Sequence, residues 1–178
     1  KTSSKLMDQR NIHIVQNHKN DDYIEMDENA LRKICRGILR NAIENTPDEG
    51  IIEVRSKKDN GSLIIEFIDY GVGISPQNQK MIFGGFFHTQ ETNRYSSKAR
   101  YHFNAGGWGT DLLRAKVLSE KLGFRIGFSS TRCRFLPLDS DECIGKISDC
   151  PFISDREECL NSGGSTFSLQ FPLSTFAH

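Results

Sequence analysis

The chain lacks any surplus of charge: 23 Lys and Arg balance 23 Asp and Glu. Nucleic-acid and anionic-membrane surfaces are built on a basic excess, so the balance argues against both. No apolar run approaches the ~20 residues that cross a bilayer, and no signal peptide stands at the start. Internal repeats and low-complexity tracts are absent too. What remains is 37 % hydrophobic and 26 % charged over 178 residues. That suits one globular domain with a sizeable core, covering residues 1–178. Lys1-Thr2-Ser3-Ser4-Lys5 is polar and has no Met. It reads as the edge of a domain in a longer, membrane-anchored or free protein. The domain itself is expected in the cytoplasm, with no membrane contact of its own.

Hydrophobic spacing gives the elements. Ile12, Ile14 and Val15 suggest a short strand, and Tyr23 to Met26 a second. Asp27 or Asn29 can cap a helix from Ala30 to Asn45, where Leu31, Ile34, Cys35, Ile38, Leu39 and Ala42 recur at helical spacing. Pro47 and Gly50 end it. Ile51 to Arg55 and Leu63 to Ile68 read as strands joined by a hairpin turn at Asp59-Asn60-Gly61. A short helix is expected over Gln77 to Phe83, a long polar loop to Trp108, and a helix over Thr110 to Leu122 stopped by Gly123. Phe124 to Ser130 is a strand, Arg132 to Ser162 irregular, and Ser165 to Phe171 a closing strand. This order predicts an α+β fold: a two-layer sandwich with a mixed, mostly antiparallel sheet and helices on one face.

Four motifs carry chemistry. Asn41-Ala42-Ile43-Glu44-Asn45 places Asn, a poor helix former, inside an amphipathic helix. Its amide oxygen is a hard donor suited to Mg²⁺ beside phosphates. Asp69-Tyr70-Gly71-Val72-Gly73-Ile74 follows an apolar strand; the carboxylate can accept from an exocyclic amine, and the glycines let backbone approach a ligand. Gly106-Gly107-Trp108-Gly109-Thr110 opens a helix, a natural phosphate site. Gly163-Gly164-Ser165-Thr166-Phe167 enters the last strand. Each alone is also what an ordinary cap or turn looks like.

As a set they resemble the ATP-binding (Bergerat) fold, and within it the catalytic domain of sensor histidine kinases. Leu31 to Thr46 is similar to the N box, Asp69 to Ile74 to the first glycine box, and Ile82 to Phe87 to the F box. Gly107 and Gly109 resemble the second glycine box, and Gly164 to Phe167 the last. The resemblance implies ATP and Mg²⁺ as cofactors. It implies that Asn41 holds the metal, Asn45 lies near the phosphates, and Asp69 binds the adenine amine with support from Thr166 through water. Gly71 and Gly73 would pass close to the base, and Ile74 and Leu112 would pack on it. Phe83 and Phe86 would anchor a lid over residues 84–106, and Gly107 and Gly109 would wrap the phosphates. It further implies γ-phosphoryl transfer to a histidine on separate dimerisation helices, then to a response regulator.

The sequence departs from that pattern. Gly37 stands one turn before Asn41, where the family has an Asn or acid. Glu44 and Gln90 replace basic residues, and Asp111 replaces a glycine. Arg94, Lys98, Arg100 or His102 could meet phosphate charge instead. No catalytic side chain is assigned, and His13 and His18 lack a phosphoacceptor's context and read as surface residues. These departures keep open a nucleotide-holding or metal- or redox-sensing module without turnover.

Residues 132–162 form an insertion longer than the ~12–15 residues of an ordinary loop. It holds Cys133, Cys143, Cys150 and Cys159, separated by nine, six and eight residues. Four thiolates match the ligand count of structural zinc. The spacing lacks a CxxC knuckle, so small buried hydrophobes pinning a loop, or an iron–sulfur centre, stay open. Cys35 falls on the apolar face of the first helix and reads as core.

Overall fold

The computed structural model describes residues 9–18, 23–84, 101–105 and 110–173. Strand β1 (His13–His18) leads into helix α1 (Glu28–Asn45), and the chain returns as β2 (Ile51–Asp59). β1 and β2 are parallel, His13 facing Ile51 and His18 facing Ser56, and α1 supplies the crossover that a parallel pair requires. The Asp27 carboxylate starts α1 by accepting from the Ala30 N–H at 2.7 Å. Ile34, Ile38 and Ala42 form its buried stripe. At its end Thr46 turns both its N–H and its hydroxyl onto the Ala42 carbonyl, and Pro47 has no N–H to carry the helix on.

Strand β3 (Ser62–Asp69) pairs antiparallel with β2 through a turn in which Asn60 and Gly61 both have positive φ, +45° and +73°. That is the two-residue turn whose twist matches the strands. A short helix α2 (Pro76–Gln79), helix α3 (Thr110–Leu122) and strand β4 (Arg125–Thr131) follow. The insertion then holds a 3-10 turn (Ile147–Asp149) and helix α4 (Arg156–Leu160) before strand β5 (Gly164–Pro172). The sheet order is β1-β2-β3-β5-β4, antiparallel except for the first pair. Helix α1 packs on β3 and α3, and α3 on β4. Between sheet and helices lies a core of Ile34, Ile38, Phe67, Ala115, Phe124, Phe167, Leu169 and Phe171. A second cluster, Ile12, Ala42, Ile43 and Ile52, seals the β1 edge with Tyr101.

The strand expected over Tyr23 to Met26 does not form; these residues are irregular and pair with no strand. Ile24 and Met26 instead pack against the core as the lead-in to Asp27. Alternate burial is common to a strand and to an extended lead-in, and only a partner strand tells them apart. The helix expected over Gln77 to Phe83 is a single turn that relaxes into turns after Gln79.

Candidate functional site

Gly37, Asn41 and Asn45 stand four residues apart and so share one side of α1. At one end of this row Gly37 meets the first turn of α3: a Cβ on it would lie 3.1 Å from the Asp111 Cβ. At the other end the Asn45 carbonyl meets the glycine turn, where a Cβ on Gly71 would lie 2.0 Å from its oxygen. Only glycine lets that turn sit so close to the helix. Asn41, half-buried, therefore lies between the start of α3 and the Asp69 turn. The Asn45 side-chain N–H donates to the Asn41 carbonyl at 2.7 Å, fixing the row's last member.

Asp69 ends β3 with 2 % exposure. The Gly71 N–H donates to its Oδ1 at 3.1 Å, and Ser165 donates from both backbone and hydroxyl. Burial pushes the carboxyl up to about 7, against the lowering effect of those donors. Between the ordinary 3.8 and about 7 the folded chain keeps a proton that the unfolded chain releases. Asp69 therefore makes stability fall as pH rises through that window, with no further loss above it. In urea unfolding from about pH 4 to 8, the Asp69→Asn chain is expected to gain stability relative to the parent as pH rises. Parallel pH dependence of the two chains would refute the assignment.

The support expected from Thr166 comes instead from its neighbour. Asp69 pairs with Ser165 across the β3–β5 ladder, whereas Thr166 pairs with Ile68. Successive strand residues point to opposite faces. Thr166 thus points away from the side on which Phe167 is buried, though it shares with Asp69, Tyr70 and Ser165 the lining of one cavity of ≈ 280 Å³. Strand alternation around buried Phe167 was the signal in the sequence that could have chosen Ser165. Ser130 escaped notice altogether. Its hydroxyl accepts from the Ile74 N–H at 2.8 Å and donates to the Gly164 carbonyl at 2.9 Å, tying the glycine turn to β4 and β5.

Ile74 and Leu112 both pack against the main core at the edge of this site. Phe83 stands edge-on to Phe128 and Phe167, each at 6.5 Å. Gly73 sits with φ +67° against the Thr131 carbonyl. Phe86, Gly107, Gly109, Gln90, Arg94, Lys98 and Arg100 lie outside the described residues. His102 is exposed.

The departures acquire a structural account. Asp111 fills the space beside Gly37 and pairs with Arg40 at 2.5 Å, so a carboxylate stands there after all, supplied by the other helix. Glu44 is buried, its carboxyl raised by desolvation against the opposing pull of Arg40, 3.6 Å away. Its backbone carbonyl accepts from the Asn104 N–H at 2.8 Å. Glu44 thus holds the segment 101–105 to α1. Arg10, which lies in no motif, fastens the same segment. Its guanidinium donates to the Tyr101 carbonyl at 2.6 Å and to the Ile43 carbonyl at 2.8 Å.

His13 and His18 are exposed on β1, as expected of surface residues. The insertion's four cysteines are free thiols, Cys133 buried and the others half-buried. Cys35 is half-buried and packs against the main core. Among the described residues no helix is long and apolar enough to cross a membrane.

A family model described as histidine kinase-, DNA gyrase B-, and HSP90-like ATPase matches residues 26–175. The sensor protein GacS of Pseudomonas syringae pv. syringae is 31 % identical over 136 residues, 74 % of this chain and 14 % of that protein. Full-length ShkA, solved in complex with AMPPNP, aligns with a TM-score of 0.62 at 20 % identity, over 99 % of this chain and 30 % of that one. Histidine kinase ThkA, solved with the response regulator protein TrrA, aligns with a TM-score of 0.60 at 16 % identity, over 99 % and 39 %. The chain thus spans only a small part of these longer proteins, and the two structures speak for its fold. With the Asn41 row, the buried Asp69 and the glycine turn in that fold, the chain belongs to the histidine kinase-, DNA gyrase B- and HSP90-like ATPases, as an ATP-binding domain of the sensor histidine kinase type.

Proposed function

We propose that this domain binds Mg-ATP and passes the γ-phosphoryl group to a histidine on separate dimerisation helices, from which a response regulator takes it. The observation that carries the reading is Asp69. A carboxylate buried at a strand end, held by Gly71 and Ser165, is an acceptor aimed at one amine in a site with little water. An adenine amine donates to it, and the glycine turn lets the base lie against backbone. The row Asn41–Asn45 then faces the phosphates, beside the start of α3, a 13-residue helix whose first N–H groups favour anions.

Asn41 fits a magnesium ion shared with the phosphates: it offers a hard amide oxygen on the row that joins the Asp69 turn to α3. When bound, the ion supplies neutralising charge to the phosphates. The protein's own part is to position the nucleotide and hold water out. ShkA's bound AMPPNP and ThkA's complex with a response regulator support the nucleotide and the downstream partner. The acceptor histidine is assigned to another segment, because His13 and His18, exposed on β1, lack the sequence context of a phosphoacceptor. A domain that works on ATP is assigned to the cytoplasm on this reading.

A second reading, a domain that holds nucleotide without turnover, draws on Asp111. Its carboxylate is held by Arg40 at the start of α3, close to where phosphate would approach. Calorimetric titration with a non-hydrolysable ATP analogue tests the site first. Binding is expected to need Mg²⁺ in the parent, to lose that dependence in Asn41→Ala, and to fall roughly 100-fold in Asp69→Asn, as when a buried polar partner is lost. Absence of binding by the parent would sink both readings. Binding without phosphorylation of a supplied dimerisation segment would favour the second.

A further inference from the structure

We propose that Arg40 binds the terminal phosphates of the nucleotide, with Asp111 as the residue that positions its guanidinium. The inference rests on the nucleotide reading above and names a phosphate ligand within it. Glu44 and Gln90 leave the site short of basic side chains. Helix α1 carries four basic residues, Arg32, Lys33, Arg36 and Arg40. The first three are exposed, and Arg40 is half-buried. Arg40 directly precedes Asn41. By spacings of three and four, residues 37, 40, 41 and 44 share one side of the helix.

Two helices set the guanidinium. Its Nη2 lies 2.5 Å from the Asp111 Oδ2, in the first turn of α3. Its Nε lies 3.6 Å from the Glu44 Oε1, one turn further along α1. Asp111 can stand there because Gly37 leaves the room. A Cβ on Gly37 would lie 3.1 Å from the Asp111 Cβ and 3.4 Å from its Cγ. A larger residue at 37 would push the carboxylate off Arg40. Gly37, Arg40 and Asp111 thus form one fitted set. It reaches from the turn before Asn41 to the start of α3, the end of the site assigned to the phosphates.

Donor count and charge leave a place for a further anion. A guanidinium offers five N–H donors. Glu44 is too far from Nε for a hydrogen bond, so among the described residues Asp111 occupies one nitrogen and the rest of the fork is available. The Glu44 carboxylate is engaged elsewhere, accepting from the Tyr101 backbone. The planar fork matches a phosphate with two parallel bonds. Asp111 keeps a second partner when Arg40 turns to the nucleotide, because the Arg114 Nη1 lies 3.5 Å from its Oδ1.

The test titrates the whole chain, in Mg²⁺, with a non-hydrolysable ATP analogue by calorimetry and with AMP by NMR shifts, which read weak binding. The parent is expected to bind the analogue more tightly than AMP. Arg40→Gln should weaken the analogue roughly 10- to 100-fold, the cost of a lost hydrogen bond to a charged group, and change AMP by less than about twofold. Arg40→Lys, a point charge without the fork, should fall between. Asp111→Asn should tighten the analogue and leave AMP unchanged, since it removes a competitor for the guanidinium and a like charge near the phosphates. Circular dichroism checks the fold of each variant, and if Arg40→Gln does not fold, the Lys and Asn variants carry the same contrast. Equal losses for analogue and AMP would mark Arg40 as structural and overturn the proposal. So would a parent that binds both ligands alike. Unchanged affinity for the analogue in a folded Arg40→Gln also overturns it, while the nucleotide reading stands. A parent that binds neither ligand sinks the nucleotide reading and this inference with it.

Discussion

Gly73→Ala is expected to cost about 2–5 kcal/mol of stability and to remove nucleotide binding with it. Two effects add. Gly73 has φ +67°, where an L-residue costs roughly 1–2 kcal/mol. A Cβ there would also lie 1.9 Å from the Thr131 carbonyl oxygen and 3.1 Å from the Arg132 nitrogen. Both neighbours are backbone, so no side chain can swing aside, and overpacking of this kind adds about 1–3 kcal/mol. The turn can relieve the clash only by leaving β4. That breaks the bonds from Cys133 N–H to Val72 and from Ile74 N–H to Ser130. Gly123→Ala is the control: its φ is +73°, but nothing lies within 4 Å of the added carbon. It should cost only the conformational ~1 kcal/mol. Urea unfolding of the two variants decides the matter, and equal losses would show that the close approach at Gly73 is unimportant.

Arg10→Ala should be as damaging, from a residue far from any motif. Arg10 is 5 % exposed. It donates to Asp48 Oδ1 at 2.6 Å and to the carbonyls of Ile43, Tyr101 and Thr46 at 2.8, 2.6 and 2.5 Å. Its removal leaves those buried carbonyls without this donor. The expected loss is about 3–5 kcal/mol, the range for breaking a buried charged network. That is a fall in Tm of roughly 10 °C for a domain of this size. Arg10→Met keeps the apolar stem without the donors and should recover little. Arg10→Lys, a point donor without the planar fork, should recover part. Hydrogen exchange at residues 101–105 should quicken in Arg10→Ala, because one of their anchors to α1 is gone. A loss below about 1 kcal/mol would mean that water replaces the guanidinium without penalty.

Legibility in the sequence followed how local each cause is. The helix from Asp27 to Thr46, the Asn60-Gly61 turn and the stop at Gly123 rest on capping, positive φ and spacing, all written within a few residues. The motifs with Asn41 and Asp69 were legible because residue type and order carry the chemistry. Tyr23 to Met26 misled because an extended lead-in and a strand share one pattern until a partner strand is known. The letters of the last motif point to Thr166, whereas the β3–β5 register puts the Ser165 hydroxyl at Asp69.

By itself, then, the sequence determined the α+β class, the ATP-binding motifs and the presence of a cysteine-bearing insertion. These depend on periodicity, turn chemistry and residue type, which are properties of short windows. Tertiary structure alone decided that Ser165 holds Asp69, that Asp111 fills the space at Gly37, and that Arg10 clasps residues 33 to 91 positions away. Each of these is a contact between segments distant along the chain, set by strand register and helix packing, and no local pattern encodes it.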